Sequence, residues 1–358
     1  MGYTETKNQK SGFQLPIIDL AQFRQEKSQQ DFLKKLQHIA REIGFFYLVG
    51  HGISKTRIAE IEQLSRQFFA LDQSKKDALS MHYSPHFRGY TKLNEELTRN
   101  QPDFREQIDI GADLQPVEFN ESTPLWLRLQ GPNIWPENWE AFRQITTAWQ
   151  KDLRAVAIEL LHALMLALEQ PQDVLDLFVN GIPNELLKLI HYPVVASKNA
   201  SRQGVGAHKD SGILTLLLQD RVGGLQVLHQ DQWIDIPYVE DAFIINIGEI
   251  LELATNGYLV ANTHRVISPD RGIDRYSIAY FITPNLYAGE IPILALPEHL
   301  QKLASGPESD PLNPLLRNAG ENTIKSRLRS HLAVTEKFYP DQYAEIISQQ
   351  QKQQEVIE

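Results

Sequence analysis

The feature that most constrains this chain is a change of period near Pro183. Upstream, apolar residues recur at helical spacing; downstream, short runs of β-formers alternate with turn signals. Leu187–Tyr192, Ile213–Leu218, Leu225–Leu228, Trp233–Ile236, Phe243–Ile247 and Ser277–Ile282 each read as a strand. Strands so short and closely spaced predict a sandwich, jelly roll or barrel. Gly223-Gly224 and Asn256-Gly257 are placed to reverse the chain between strands. In the first half, Phe32, Leu33, Leu36, Ile39, Ala40 and Ile43 line one face of a helix that Gly44 stops. Phe45–Val49 then reads as a strand, Ser54 as the N-cap of a helix toward Phe69, and Glu137–Leu168 as a long helix. Tyr83–Pro132 is rich in turns and yields no assignment. The helical pattern returns after Pro297, with a polar loop over Ser305–Asn322, and the Gln-rich stretch Gln349–Gln354 is expected to fray. Helices packed around one β core are the expectation.

Composition narrows the chemistry. Lys and Arg number 35 against 45 Asp and Glu, a net charge of −10, which argues against a nucleic-acid partner. The absence of cysteine removes disulfides, thiolate zinc sites, iron–sulfur clusters and cysteine nucleophiles together. Any metal must be held by His and carboxylates. Ala155–Leu168 is broken by Glu159 and His162 and is too short to cross a bilayer. Met1–Gly12 is polar and lacks the apolar core of a signal peptide. A cytoplasmic enzyme with no membrane partner is expected. Neither Gly-x-Ser-x-Gly nor His-Glu-x-x-His occurs, which disfavours hydrolases.

The chemistry-bearing stretch is Gly206-Ala-His208-Lys-Asp210-Ser-Gly212. Residues two apart on a strand share a face, so His208 and Asp210 can converge on one point. His264, in Ala-Asn-Thr-His-Arg-Val, is the natural third ligand. Two imidazoles and one carboxylate form the facial triad of non-haem Fe(II) oxygenases, which leaves positions for a chelating co-substrate and O₂. A second His-x-Asp, His229-Gln-Asp231, lies in a polar segment between two strands and reads as a solvated hairpin turn. Eleven residues after His264 come Arg275 and Ser277, again two apart. An Arg fork and a neighbouring hydroxyl suit the far carboxylate of a dicarboxylate such as 2-oxoglutarate, whose keto acid end would chelate the metal.

These residues resemble the isopenicillin N synthase-like family of Fe(II)/2-oxoglutarate-dependent dioxygenases, whose pattern is His-x-Asp, a long gap, His, and then Arg-x-Ser. Further landmarks match: Leu15–Leu20, Arg41–Ile53, Arg88-Gly-Tyr90, Phe104–Gly111, Gly223–Gln226 and Asn246-Ile-Gly248. Tyr192-Pro193 resembles the family's Tyr-Pro element, whose tyrosine contacts co-substrate or substrate; the family's preceding asparagine is Ile190 here. The resemblance implies an α+β fold with a double-stranded β-helix (jelly-roll) core surrounded by helices. Residues 13–182 would form a mainly helical N-terminal region, 183–290 the core and 291–358 a C-terminal helical segment, in one compact unit. It also implies Fe(II) on His208, Asp210 and His264, with 2-oxoglutarate on Arg275, Ser277 and Tyr192. A small organic substrate would be hydroxylated, desaturated or cyclised, with release of succinate and CO₂. Two other readings remain: an iron oxidase whose Arg-x-Ser binds its own substrate's carboxylate, and a non-catalytic ligand-binding relative. Tyr90, Glu95 and Arg99 fall where the family often places substrate-facing residues, although a solvated loop is the plainer reading. Phe281 is expected to pack, and His38, His51 and His162 to be structural. Prime substrate and oligomeric state are not legible.

Overall fold

The computed structural model describes residues 14–194, 203–268, 272–308 and 314–357, so Met1–Gly12 and the middle of the Ser305–Asn322 stretch lie outside the described residues. Strands, in chain order, are β1 (Ile17–Asp19), β2 (Phe45–Val49), β3 (Gly89–Thr91), β4 (Glu106–Gly111), β5 (Asn184–Tyr192) and β6 (Gln203–His208). They continue as β7 (Leu214–Gln219), β8 (Leu225–His229), β9 (Gln232–Asp235), β10 (Phe243–Ile247), β11 (His264–Ile267) and β12 (Arg275–Thr283). Eight form one sheet in the order β1-β2-β10-β7-β12-β5-β4-β3, and four form a second in the order β9-β8-β11-β6. A two-residue ribbon, Leu97–Thr98 with Gln101–Pro102, stands apart.

One apolar cluster lies between the sheets. It joins Phe45, Tyr47, Ile190, Tyr192, Ile244 and Ala279 of the large sheet to Val205, Leu225, Val227, Ile234 and Val266 of the small one. The opposite face of the large sheet carries Phe46, Leu48, Ile108, Leu187, Leu216, Ile245 and Tyr280 into a second cluster with the helices. Burial on both faces explains why Phe243–Ile247 is apolar at every position but Asn246 instead of alternating. This is the α+β jelly-roll core in a helical jacket that the resemblance implied.

The helices form for legible reasons. α1 (Glu26–Glu42) buries Phe32, Leu33, Leu36, Ile39 and Ala40, and Gly44 follows at φ +66°, where a Cβ would lie 1.9 Å from the Val260 carbonyl. α2 (Lys55–Phe69) starts where Ser54 Oγ accepts from the Arg57 N–H at 3.3 Å. α3 (Glu140–Ala167) lays its apolar stripe along α1 and α2. α4 (Glu249–Ala254) precedes β11, and α5 (Ala319–Ser330), α6 (Leu332–Phe338) and α7 (Pro340–Ile357) close the described chain.

Several expectations change. Tyr83–Pro132 holds β3, β4 and the ribbon; Tyr90 is buried in β3 rather than solvated in a loop, its hydroxyl donating to Glu106. The polar letters of Gln107 and Asp109 hid a strand whose polar side chains are buried against partners. Asn256-Gly257 ends α4 instead of joining strands, the Gly257 N–H reaching Glu252 O at 2.8 Å with φ +74°. Gln349–Gln354 continues α7 as helix.

Candidate metal centre

His208 ends β6 and His264 begins β11, and the two are direct partners in the antiparallel ladder. Their rings therefore emerge side by side, with centroids 4.3 Å apart. Asp210 lies two residues beyond the end of β6, so a turn brings it in, not the strand alternation expected from the sequence. Its carbonyl accepts from the Glu249 N–H at 2.8 Å. The turn is crowded enough that a Cβ on Gly248 would sit 2.1 Å from Gly212 O. Asp210 Oδ1 stands 3.4 Å from His208 Nε2 and 3.8 Å from His264 Nε2, and these ligand atoms lie within 4.8 Å of one another.

The surrounding bonds decide which atoms stay available. Asp210 Oδ2 accepts from Thr215 Oγ1 at 2.5 Å and Asn246 Nδ2 at 2.8 Å, which leaves Oδ1 facing the imidazoles. His208 Nδ1 lies 2.8 Å from Gly206 O, and His264 Nδ1 lies 3.3 Å from Asn262 O. With Nδ1–H as donor in each ring, the Nε2 lone pairs point at one place. Burial, with the charge on His208, pushes His264 down to about 4, so it is neutral at pH 7. Burial also raises the cost of the Asp210 charge, yet His264, His208 and Thr215 outweigh it and hold the carboxyl well below its usual range. Burial lowers His208, but the Asp210 hydrogen bond and charge overcome it and raise it. One carboxylate oxygen and two imidazole nitrogens suit a divalent first-row ion.

Arg275 opens β12 opposite Tyr192. It is 1% exposed, its guanidinium lies 4.5 Å over the Tyr192 ring, and Nη1 donates to Ser277 Oγ at 3.3 Å. Its Nε and Nη2 have no partner. Among the described residues no carboxylate pairs with it. A buried cation with free donors is costly unless an anion arrives. Alternation places Arg275, Ser277, Ala279 and Phe281 on the face that meets the small sheet, as the inter-sheet position of Ala279 requires. Phe281 packs against that cluster, as expected.

Residues 15–138 match the family described as non-haem dioxygenase in morphine synthesis N-terminal, and residues 183–284 match the 2OG-Fe(II) oxygenase superfamily. The chain is 33% identical over 355 residues to the 2-oxoglutarate-dependent dioxygenase frbJ of Dothideomycetidae sp. (strain 11243), covering 95% of each. The chain belongs to the Fe(II)/2-oxoglutarate oxygenase family. A homoarginine-6-hydroxylase of Glycine max is 32% identical, over 78% of this chain and 88% of that one. A full-length Neurospora crassa protein crystallised in complex with alpha-KG superposes with a TM-score of 0.70 at 26% identity, over 88% of this chain and 96% of that one. The protein is a non-haem Fe(II)- and 2-oxoglutarate-dependent dioxygenase; the oxidase reading without 2-oxoglutarate is not favoured.

The dioxygenase carries a second buried polar group that its sequence did not reveal. On the same inner face, Arg105 pairs with Glu96 at 2.7 Å and Asp103 at 3.3 Å, Lys188 with Glu96 at 2.8 Å, and Arg327 with Asp109 at 2.9 Å. His331 Nε2 lies 3.5 Å from Glu96. The available signal was the period-two spacing of Arg105, Gln107 and Asp109. Thr215 and Asn246 were also missed as partners of Asp210, although Asn246-Ile-Gly248 matched a family landmark. Gln230 and Asp231 form the hairpin turn between β8 and β9, as expected. His51 bonds Asp241 O and the Ile53 N–H, and His162 bonds Asp176, both structural roles; Glu95 accepts from the Lys92 N–H in its loop.

Proposed function

We propose that this dioxygenase holds Fe(II) on His208, Asp210 and His264 and 2-oxoglutarate on Arg275, Ser277 and Tyr192, and oxidises a small polar molecule in the cytoplasm. The observation that carries this reading is the buried Arg275, with two unpartnered guanidinium nitrogens and, among the described residues, no carboxylate pairing with it, on the large-sheet face that meets the small sheet bearing His208 and His264. Iron, when bound, supplies O₂ activation coupled to decarboxylation of the keto acid to succinate and CO₂. The protein's part is to bind and orient. The Arg275 fork takes the far carboxylate, the Ser277 hydroxyl adds a hydrogen bond, and the Tyr192 ring stacks beneath the guanidinium and holds it flat. Asp210 offers one oxygen because Thr215 and Asn246 occupy the other. Ile190, Val227, Ala279 and Phe281 form an apolar wall that keeps bulk water from the pocket.

A small polar substrate is supported by the charged inner wall of Arg105, Lys188 and Glu96. It is also supported by relatives named for homoarginine and crystallised with thymine. No helix among the described residues is long and apolar enough to cross a membrane. The deciding experiment follows 2-oxoglutarate consumption and succinate release by the iron-loaded protein. Arg275→Leu should weaken 2-oxoglutarate binding by about 100-fold, by removing a charge-assisted bidentate pair, while Fe(II) affinity stays within about threefold. Unchanged 2-oxoglutarate affinity in that variant would reject the assignment.

A further inference from the structure

We infer that Asp103 is a positioning residue for His208, acting through the backbone of Gly206; this rests on the metal assignment above. β6 is the edge strand of the small sheet, so among the described residues one side of its backbone has no neighbouring strand. Its pairing with β11 is irregular, with register shifts between the His264, Val266 and Ile267 pairs. The ladder pairs His208 with His264 only at the end of this irregular stretch and holds β6 from one side.

Asp103 supplies the missing constraint. The residue is fully buried. Its Oδ1 accepts from the Gly206 N–H at 3.1 Å and from Gln203 Nε2 at 3.1 Å. Oδ2 accepts from Thr98 Oγ1 at 2.8 Å and from Arg105 Nη2 at 3.3 Å. The Phe104 N–H donates to Gln203 O at 2.8 Å, so backbone and side chain clip the same edge. Gly206 in turn offers its carbonyl to His208 Nδ1 at 2.8 Å. The residue whose N–H is held by Asp103 is the one whose C=O sets the tautomer and aim of the ligand ring. The approach is close: a Cβ on Gly206 would lie 2.8 Å from Thr98 Cγ2. Burying a carboxylate is costly, and here its bonds run to the strand that carries His208.

The test measures Fe(II) affinity by anaerobic titration of the apoprotein, and ligand geometry by the visible spectrum of the Co(II)-substituted protein. Asp103→Ala should weaken Fe(II) about tenfold, the lower end for a residue supporting a metal ligand, and should alter the Co(II) spectrum. Asp103→Asn keeps an acceptor oxygen for the Gly206 N–H and should return both readouts to near the parent. Glu96→Gln removes charge from the same cluster without touching β6, and should leave Fe(II) affinity within about threefold. Parental affinity and spectrum in Asp103→Ala, or an Asn variant no better than Ala, would overturn the role. Should Asp103→Ala fail to fold, Gly206→Ala displaces the strand with Asp103 intact; parental affinity there would equally overturn it. His264→Ala separates the two readings. Its retention of Fe(II) would reject the triad itself, whereas its loss beside a parental Asp103→Ala rejects only the positioning role.

Discussion

Two groups of buried charge are built to opposite rules, one on strands of the large sheet and one on β6 and β11 of the small sheet. In the ionic cluster, Glu96, Asp103 and Asp109 are matched by Arg105, Lys188 and Arg327, each within 3.6 Å of a partner of opposite sign. At the metal centre, Asp210 Oδ1 and two Nε2 atoms converge on one point, and Arg275 pairs with no carboxylate among the described residues. Arg105 Nε and His331 Nε2 are left over in the cluster, yet both groups already face a carboxylate. Charge satisfied within the chain holds a wall in place; charge left unsatisfied marks where ligands enter.

The largest expected effect breaks the comparison on the metal side. Asp210→Ala removes the carboxylate of the proposed triad and should lower Fe(II) affinity by more than about 100-fold, beyond what supporting residues contribute. The apo fold should lose only about 1–3 kcal/mol, for the Asn246 and Thr215 donors left without an acceptor. Iron titration beside urea denaturation checks both halves. A variant that unfolds while the folded fraction still binds iron would reverse the contrast.

The cluster should respond the other way. Glu96→Gln leaves Arg105 and Lys188 without their shared counter-charge and should cost about 3–5 kcal/mol of folding stability, with iron affinity unmoved. Denaturation of the apoprotein gives the number.

A smaller effect comes from pH. Burial pushes His331 down to about 4, with Glu96 and Asp109 opposing. The unfolded chain protonates this histidine near 6.5, before the folded chain does. Its contribution to stability is therefore complete above pH 6.5 and drains away as pH falls toward 4. Between pH 7 and 5 the loss should reach about 2 kcal/mol. Urea midpoints of the parent and of His331→Asn should converge as pH falls through that window; a gap of constant size would show that His331 does not titrate as a buried neutral group.

The metal side was legible in the sequence because its residue types are chemically rare and tightly spaced. His208, Asp210 and His264 gather at one point, although a turn, not a strand, delivers Asp210, and Arg275 and Ser277 lie two apart at the start of β12. The short runs rich in β-formers also announced the strands of the core. The cluster was not legible, because its members come from distant stretches. Glu96 sits before the ribbon, Lys188 in β5, and Arg327 and His331 in or after α5. Nothing local distinguishes a buried Glu from a solvated one; only the fold supplies the partner. The same limit hid β4, whose Gln107 and Asp109 read as loop letters until Ile190 and Lys188 lay opposite them.

The smallest effect sharpens the comparison inside one motif. His229-Gln-Asp231 repeats the letters of His208-Lys-Asp210, yet Gln230 and Asp231 lie at φ +48° and +58°, in a two-residue reversal between β8 and β9. That left-handed turn favours Asn and Asp because their short side chains tolerate it, so Asp231 serves the backbone and not a ligand. Asp231→Asn should therefore change stability by less than about 0.5 kcal/mol. Iron binding should stay at a single site of parental affinity. The same Asp→Asn change at 210 strips the charge from Oδ1 and should abolish tight binding. If iron titration of the parent showed a second equivalent that Asp231→Asn removed, the two copies would differ in degree and not in kind.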